Sequence, residues 1–168
     1  PEHWLDRPDL REPYIDRIPE KHRADFVRER PIEIREVEPR DLFNPEKAPD
    51  RNYLWFRMEA AQGQSPEMQH CLLAYASDMN LLGSSLRPHG LTWFQRGVMS
   101  ASLDHAMWFH APIDFSDWHL YDLDAPFTGG ARGFNRGLIY TQSGKLVASV
   151  AQEGLMRPYK PKGDSNDG

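Results

Sequence analysis

Ser65-Pro66-Glu67-Met68-Gln69-His70-Cys71-Leu72-Leu73-Ala74-Tyr75-Ala76-Ser77-Asp78-Met79-Asn80-Leu81-Leu82-Gly83 is the stretch on which the fold of this chain turns. Ser65 can accept a hydrogen bond from a free N–H of a first helical turn, and Pro66 suits the first helical position. Glu67 complements the positive end of a helix dipole. The pattern predicts a helix over residues 66–82, with Gly83 as its stop. Met68, Cys71, Leu72, Leu73, Ala74, Tyr75, Ala76 and Met79 make it apolar on nearly every side. A helix with so little polar surface is expected to be buried on most of its circumference. Cys71, the chain's single cysteine, then reads as an inert core thiol.

Strand-like segments lie on both sides of this helix. Residues 31–37 alternate Ile32, Ile34 and Val37 with charged residues, an edge-strand pattern with proline at its start. Residues 52–58, with Tyr53, Leu54, Trp55 and Phe56, predict a second strand, and 60–65 a turn. After a loop containing Arg87-Pro88-His89-Gly90, residues 98–110, 118–124, 132–141 and 145–157 are all strand-like. The last two are joined by the short hairpin turn Gln142-Ser143-Gly144. An apolar helix among six strands predicts an α+β domain in which an antiparallel sheet wraps the helix, because a flat sheet covers only half of it.

At 168 residues the chain has the length for one domain with a real core. Its net charge of −5 and its lack of a Lys/Arg block argue against nucleic acid or an anionic membrane as partner. No apolar run approaches the ~20 residues of a membrane span, and no signal-peptide pattern opens the chain, so a cytoplasmic location is expected. More than half of the charged side chains fall in residues 1–50, with six prolines between Pro8 and Pro45. Residues 1–29 therefore read as a solvated segment, either an N-terminal extension or a linker from a preceding domain. Pro1 stands in place of an initiator Met, so translation is not expected to begin at residue 1, and composition does not choose between the two readings. Residues 30–159 form the domain, and 160–168 read as a disordered polar tail.

Three polar residues stand where burial is expected. Asp78 lies near the end of the apolar helix, where desolvation would raise its pKa toward the range of a general base; a solvent-facing helix-terminal Asp is the alternative. Alternation puts Ser100, Ser102 and Asp104 on one strand face, which suits a ligand or water but also an ordinary half-exposed strand. Gln152 shares a face with Leu146, Ala148 and Val150, so its amide must find partners in an apolar layer, catalytic or structural. Asp104 and His105 suggest an acid/base pair, but neighbours on a strand point to opposite faces. His89, His105, His110 and His119 lack metal-ligand spacing, no Gly-x-Ser-x-Gly elbow is present, and Gly129, Gly130 and Gly133 do not make a phosphate loop. Arg132 and Arg136 share a face that could meet phosphates, or simply solvent.

Leu72-Leu73-Ala74-Tyr75-Ala76-Ser77-Asp78, Arg87-Pro88-His89-Gly90, Ser102-Leu103-Asp104-His105-Ala106-Met107-Trp108-Phe109-His110, Ala131-Arg132-Gly133-Phe134 and Gln152-Glu153-Gly154-Leu155-Met156-Arg157 occur in this order. As an ordered set over residues 30–159 they resemble the C-terminal half of the acyl-CoA thioesterase II family of bacterial and peroxisomal enzymes. The resemblance implies a hotdog fold, a curved antiparallel sheet wrapped around a long helix. Family members carry two hotdogs in one chain, so residues 1–29 resemble the interdomain linker and an N-terminal hotdog domain is the implied partner, in a homo-oligomer. The family holds a water with an aspartate, a serine or threonine, and a glutamine; Asp78, Ser102 and Gln152 stand at those positions. The implied activity is hydrolysis of fatty acyl-CoA without metal, cofactor or covalent acyl-enzyme. A hotdog enoyl-CoA hydratase using Asp104 and His105, or a non-catalytic acyl-CoA-binding or oligomerisation domain, is the alternative.

Overall fold

A computed structural model describes residues 30–93 and 97–159, together with positions 15–18, 20, 23, 24 and 28. The expected tail and most of the charged N-terminal region lie outside the described residues. Within that region Ile18 is buried, and the Arg17 guanidinium stands 4.2 Å from the centre of the Phe43 ring.

Seven strands form one antiparallel sheet: β1 (Glu33–Glu36), β2 (Asn52–Arg57), β3 (Val98–Ser102), β4 (Ala106–Phe109), β5 (His119–Gly129), β6 (Arg132–Thr141) and β7 (Leu146–Pro158). Their order is β1-β2-β5-β6-β7-β3, with β4 also paired to β7. Helix α1 (Pro66–Ser77) lies on the inner face, followed by the short α2 (Gly83–Leu86). This is the hotdog arrangement that the resemblance implies. The core joins inward residues of the sheet (Leu54, Phe56, Tyr121, Leu123, Ile139, Ala148, Val150) to Leu73 and Ala76 of α1. Phe56 stacks on Tyr121 with ring centres 5.2 Å apart and meets Phe115 edge-on at 5.1 Å, both favoured aromatic geometries.

The start of α1 follows its local signals, since the Ser65 hydroxyl accepts from the Met68 N–H at 3.3 Å. Gln69, buried in the same helix, donates to the Ala61 carbonyl (2.6 Å) and accepts from the Phe115 N–H (2.8 Å). Its amide thus ties α1 to two neighbouring segments.

The structure corrects the expected helix in three respects. It stops at Ser77, five residues short of the predicted end, and Asn80 follows with φ of 65°. Gly83 starts α2 instead of ending α1. The helix is also not buried nearly all round. The sheet covers Gln69, Leu73, Ala76 and Ser77, while Met68 (45% exposed), Cys71 and Tyr75 (60%) form an outward stripe at helical spacing. Cys71 is therefore an exposed thiol and not a core one.

The expected strand 98–110 divides into β3 and β4. At the break Asp104 accepts the Glu153 N–H at 2.7 Å and the Leu103 N–H donates to the Glu153 carbonyl at 2.9 Å. β5 runs to Gly129, beyond its expected end, through an irregularity between Asp124 and Phe127.

Tyr121 lies across Gly137, where a Cβ would collide with the phenol ring. Gly137→Ala should destabilise the fold by about 1–3 kcal/mol, the usual cost of overpacking a rigid site, as measured by urea unfolding. An unchanged midpoint would contradict the packing described. His119 is buried; its Nδ1 lies 2.9 Å from the Asp117 carbonyl and its Nε2 has no partner among the described residues. Burial pushes its pKa below 6.5 despite the opposing pull of the Asp117 carbonyl. The unfolded chain then takes up this proton more readily than the folded one. Stability is complete above pH 6.5 and is lost as pH falls from there toward the depressed folded value. The wild-type minus His119→Asn difference in unfolding free energy should shrink in that window; a pH-independent difference would contradict the assignment.

Candidate active site

The end of α1 is held by one bond from the sheet and one within the helix itself. The Tyr121 hydroxyl, on the inner face of β5, donates to the Ser77 carbonyl at 2.8 Å. Burial, and next the negative charge of Asp78, push the phenol pKa well above its ordinary value, so Tyr121 remains a donor. The Ser77 hydroxyl donates back to the Ala74 carbonyl at 2.8 Å, a local bond that competes with continuation of the helix. With these carbonyls occupied, the chain turns at Asp78, the C-cap residue.

That turn presents Asp78 to β7. Gln152 belongs to the inward row Ala148, Val150, Gln152 and is 1% exposed. Its Nε2 donates to Asp78 Oδ1 at 2.6 Å. Its Oε1 is buried with no hydrogen-bond partner among the described residues. An unpaired buried amide oxygen is costly, so this position is suited to a water proton or another donor.

Ser102 pairs with Gly154 across β3 and β7, which puts it on the face of Gln152 and one inward position along. Ser102 is exposed where burial was expected, and its hydroxyl makes no hydrogen bond among the described residues. The structure thus joins Asp78 to Gln152 directly and leaves Ser102 on the adjacent strand, facing the same side. The Asp78 side chain is 57% exposed, which matches the solvent-facing helix-terminal alternative and not the buried one. Its apolar helix neighbours point partly outward, as the exposed stripe shows.

His105 joins this group although strand alternation alone did not bring it in. It sits in the break between β3 and β4, with Nε2 2.9 Å from Ser77 Oγ and Nδ1 3.2 Å from Gln152 Nε2 and 3.8 Å from Asp78 Oδ1. Asp104, its neighbour, is committed to the Glu153 N–H. The two residues of the suggested acid/base pair therefore serve separate tasks. No glycine or proline marks the break at 103–105, so the sequence carried no signal for it. Arg136 pairs with Asp124 through two hydrogen bonds (3.0 and 2.6 Å), and Arg132 stands 3.8 Å from Glu153, so the phosphate-facing reading of these arginines finds them engaged by carboxylates. Among the described residues no cluster of three or more His, Cys, Asp or Glu is placed to hold a metal ion.

A model of the acyl-CoA thioesterase family matches residues 21–155. The chain belongs to the acyl-CoA thioesterase family. It is 36% identical over 157 residues to acyl-CoA thioesterase 2 of Haemophilus influenzae, covering 94% of this chain and 55% of that relative. With human acyl-coenzyme A thioesterase 8 it shares 38% identity over 137 residues, covering 81% and 42%. The crystal structure of the acyl-CoA thioesterase II TesB2 from Mycobacterium marinum matches with a TM-score of 0.66 at 39% identity, covering 86% of this chain and 54% of that one. This thioesterase-family chain therefore spans about half the length of the relatives it matches.

Tyr121→Phe removes the hydroxyl from the helix end and leaves the Ser77 carbonyl short of a partner. A loss of about 1–3 kcal/mol in denaturant unfolding is expected, the cost of an unsatisfied buried acceptor. Wild-type stability in this variant would contradict the role given to the bond.

Proposed function

We propose that this chain is the C-terminal hotdog half of an acyl-CoA thioesterase, in which Asp78, Ser102 and Gln152 hold and activate a water that hydrolyses fatty acyl-CoA. The observation that carries the reading is the 2.6 Å bond from Gln152 to Asp78, with the second amide oxygen buried and unpartnered beside it, in a chain of this family. The amide turns its N–H toward the carboxylate and its oxygen toward the position a water would take. A water there donates one proton to Asp78 and one to Gln152 Oε1, while Ser102 fixes its lone pair. As its oxygen bonds to the thioester carbonyl carbon, Asp78 takes the first proton. The C–S bond then breaks, and the proton passes to the departing thiolate, giving fatty acid and free CoA. Orientation lowers the entropic part of the barrier, and a placed base contributes ~10²–10⁴-fold. The more-than-half exposure of Asp78 suits a base that must exchange its proton each turnover.

The same proposal includes a partner. A second hotdog domain on the same polypeptide, reached through the charged linker of residues 1–29, would cover the stripe of Met68, Cys71 and Tyr75. Phe109 of edge strand β4 extends this surface, its ring 4.4 Å from that of His70. The half-length span of the chain against its relatives supports that reading, and assembly into a homo-oligomer belongs with it. A cytoplasmic location rests on the sequence alone; among the described residues no helix is long and apolar enough to cross a membrane.

Thiol release from octanoyl-CoA and palmitoyl-CoA by the full-length protein tests the reading. Asp78→Asn should lower kcat by about 10²–10⁴-fold, the usual contribution of a general base, with KM little changed. Undiminished turnover in the variant would exclude Asp78 as the base.

A further inference from the structure

We infer that His105, as a neutral imidazole protonated on Nε2, is a positioning residue that fixes the side-chain amide of Gln152 in its water-holding orientation. The inference rests on the catalytic reading of Asp78 and Gln152 given above.

Two contacts from two different elements are met together by one tautomer. The Ser77 hydroxyl has one proton, and the Ala74 carbonyl takes it at 2.8 Å. The 2.9 Å contact between Ser77 Oγ and His105 Nε2 therefore needs the hydrogen on the ring nitrogen. On the other side, Gln152 Nε2 lies 3.2 Å from His105 Nδ1, and an amide NH₂ can only donate. That contact needs a bare Nδ1. A neutral ring carrying its hydrogen on Nε2 meets both demands; the other neutral tautomer opposes the amide N–H and meets Ser77 only by drawing the hydroxyl proton away from the Ala74 carbonyl.

The consequence falls on Gln152. Its two N–H bonds are assigned, one to Asp78 Oδ1 and one to His105 Nδ1. Rotating the amide by half a turn would set Oε1 against a carboxylate oxygen and an imidazole lone pair together. Asp78 by itself opposes that flip from the exposed side; His105, 25% exposed at its side chain, opposes it from the β3–β4 break. With both in place Oε1 is left toward the buried position where it has no protein partner among the described residues. His105 touches neither water nor substrate in this scheme and acts through Gln152. A proton on Nδ1 would undo the arrangement by opposing the amide N–H and by placing a cation 3.8 Å from Asp78.

Substitutions in the full-length enzyme separate this role from mere packing. Asn at position 105 can offer a side-chain oxygen close to where Nδ1 stood, whereas Leu cannot. His105→Leu should lower kcat about tenfold, the rate equivalent of one neutral hydrogen bond, with KM unchanged, and His105→Asn should recover most of it. Long-range ¹H–¹⁵N spectra of the wild-type protein, which need no variant to fold, should show His105 with hydrogen on Nε2 and a bare Nδ1. Wild-type kcat in His105→Leu, equal losses in the two variants, or hydrogen on Nδ1 would each overturn the inference. If Asp78→Asn is inactive while His105→Leu is not, the catalytic reading stands and this inference falls. Full turnover by Asp78→Asn would remove the catalytic reading itself.

Discussion

The hydrogen bond from the Tyr121 hydroxyl to the Ser77 carbonyl ties the end of the helix to the sheet, and the rest of the site is arranged around that point. Tyr121 reaches it because its ring is clamped between Phe56 and the inner surface of β6, where Gly137 leaves room for the ring. The phenol is buried and held protonated, so it satisfies a helix-terminal carbonyl that has no partner further along α1. The helix end it anchors puts the Asp78 carboxylate, on the C-cap residue, at the negative end of the helix dipole, an unfavourable location by itself. The Gln152 amide offsets that disadvantage by donating to the carboxylate at 2.6 Å. A structural bond in the core thus positions a charged group at the surface.

Much of the fold was legible because its signals are local. Ser65 and Pro66 mark the start of α1, an apolar aromatic run marks β2, strand-like stretches mark β6 and β7, and Gln142-Ser143-Gly144 marks a hairpin. What could not be read depends on contacts distant in sequence. No glycine or proline lies between 77 and 82; the chain leaves the helix through Asn80 in the left-handed region, and the Tyr121 hydroxyl, 44 positions away, takes the Ser77 carbonyl. The apolar circumference of α1 suggested burial on all sides, but a sheet on one face covers one stripe and leaves Met68, Cys71 and Tyr75 outside. The division of residues 98–110 into two strands follows from Asp104 taking the Glu153 N–H, again a contact between remote segments.

The candidate site divides in the same way. Gln152 could be found from its place in an apolar row, since a buried amide demands partners wherever it occurs. Ser102 could be placed on a face by alternation, and the Ser102–Gly154 pairing sets it beside Gln152. The environment of Asp78 could not be found, because exposure is decided by the turn after α1 and not by the apolar residues before it. His105 could be named as a candidate but not placed beside Gln152, since strand alternation does not apply at a break. Its two ring contacts emerge only when the end of α1 and the middle of β7 are brought to the same place.

Taken together, a buried amide is pinned between a half-exposed carboxylate and an imidazole, with one free acceptor turned inward. An amide oxygen buried without a protein partner is unfavourable, and a water donating to it relieves that cost. An atomic-resolution crystal structure of the full-length protein tests this account most directly. The account predicts an ordered water within hydrogen-bond distance of Asp78, Ser102 Oγ and Gln152 Oε1 together. A water-free site, or a Gln152 amide with its oxygen turned toward Asp78, would contradict it.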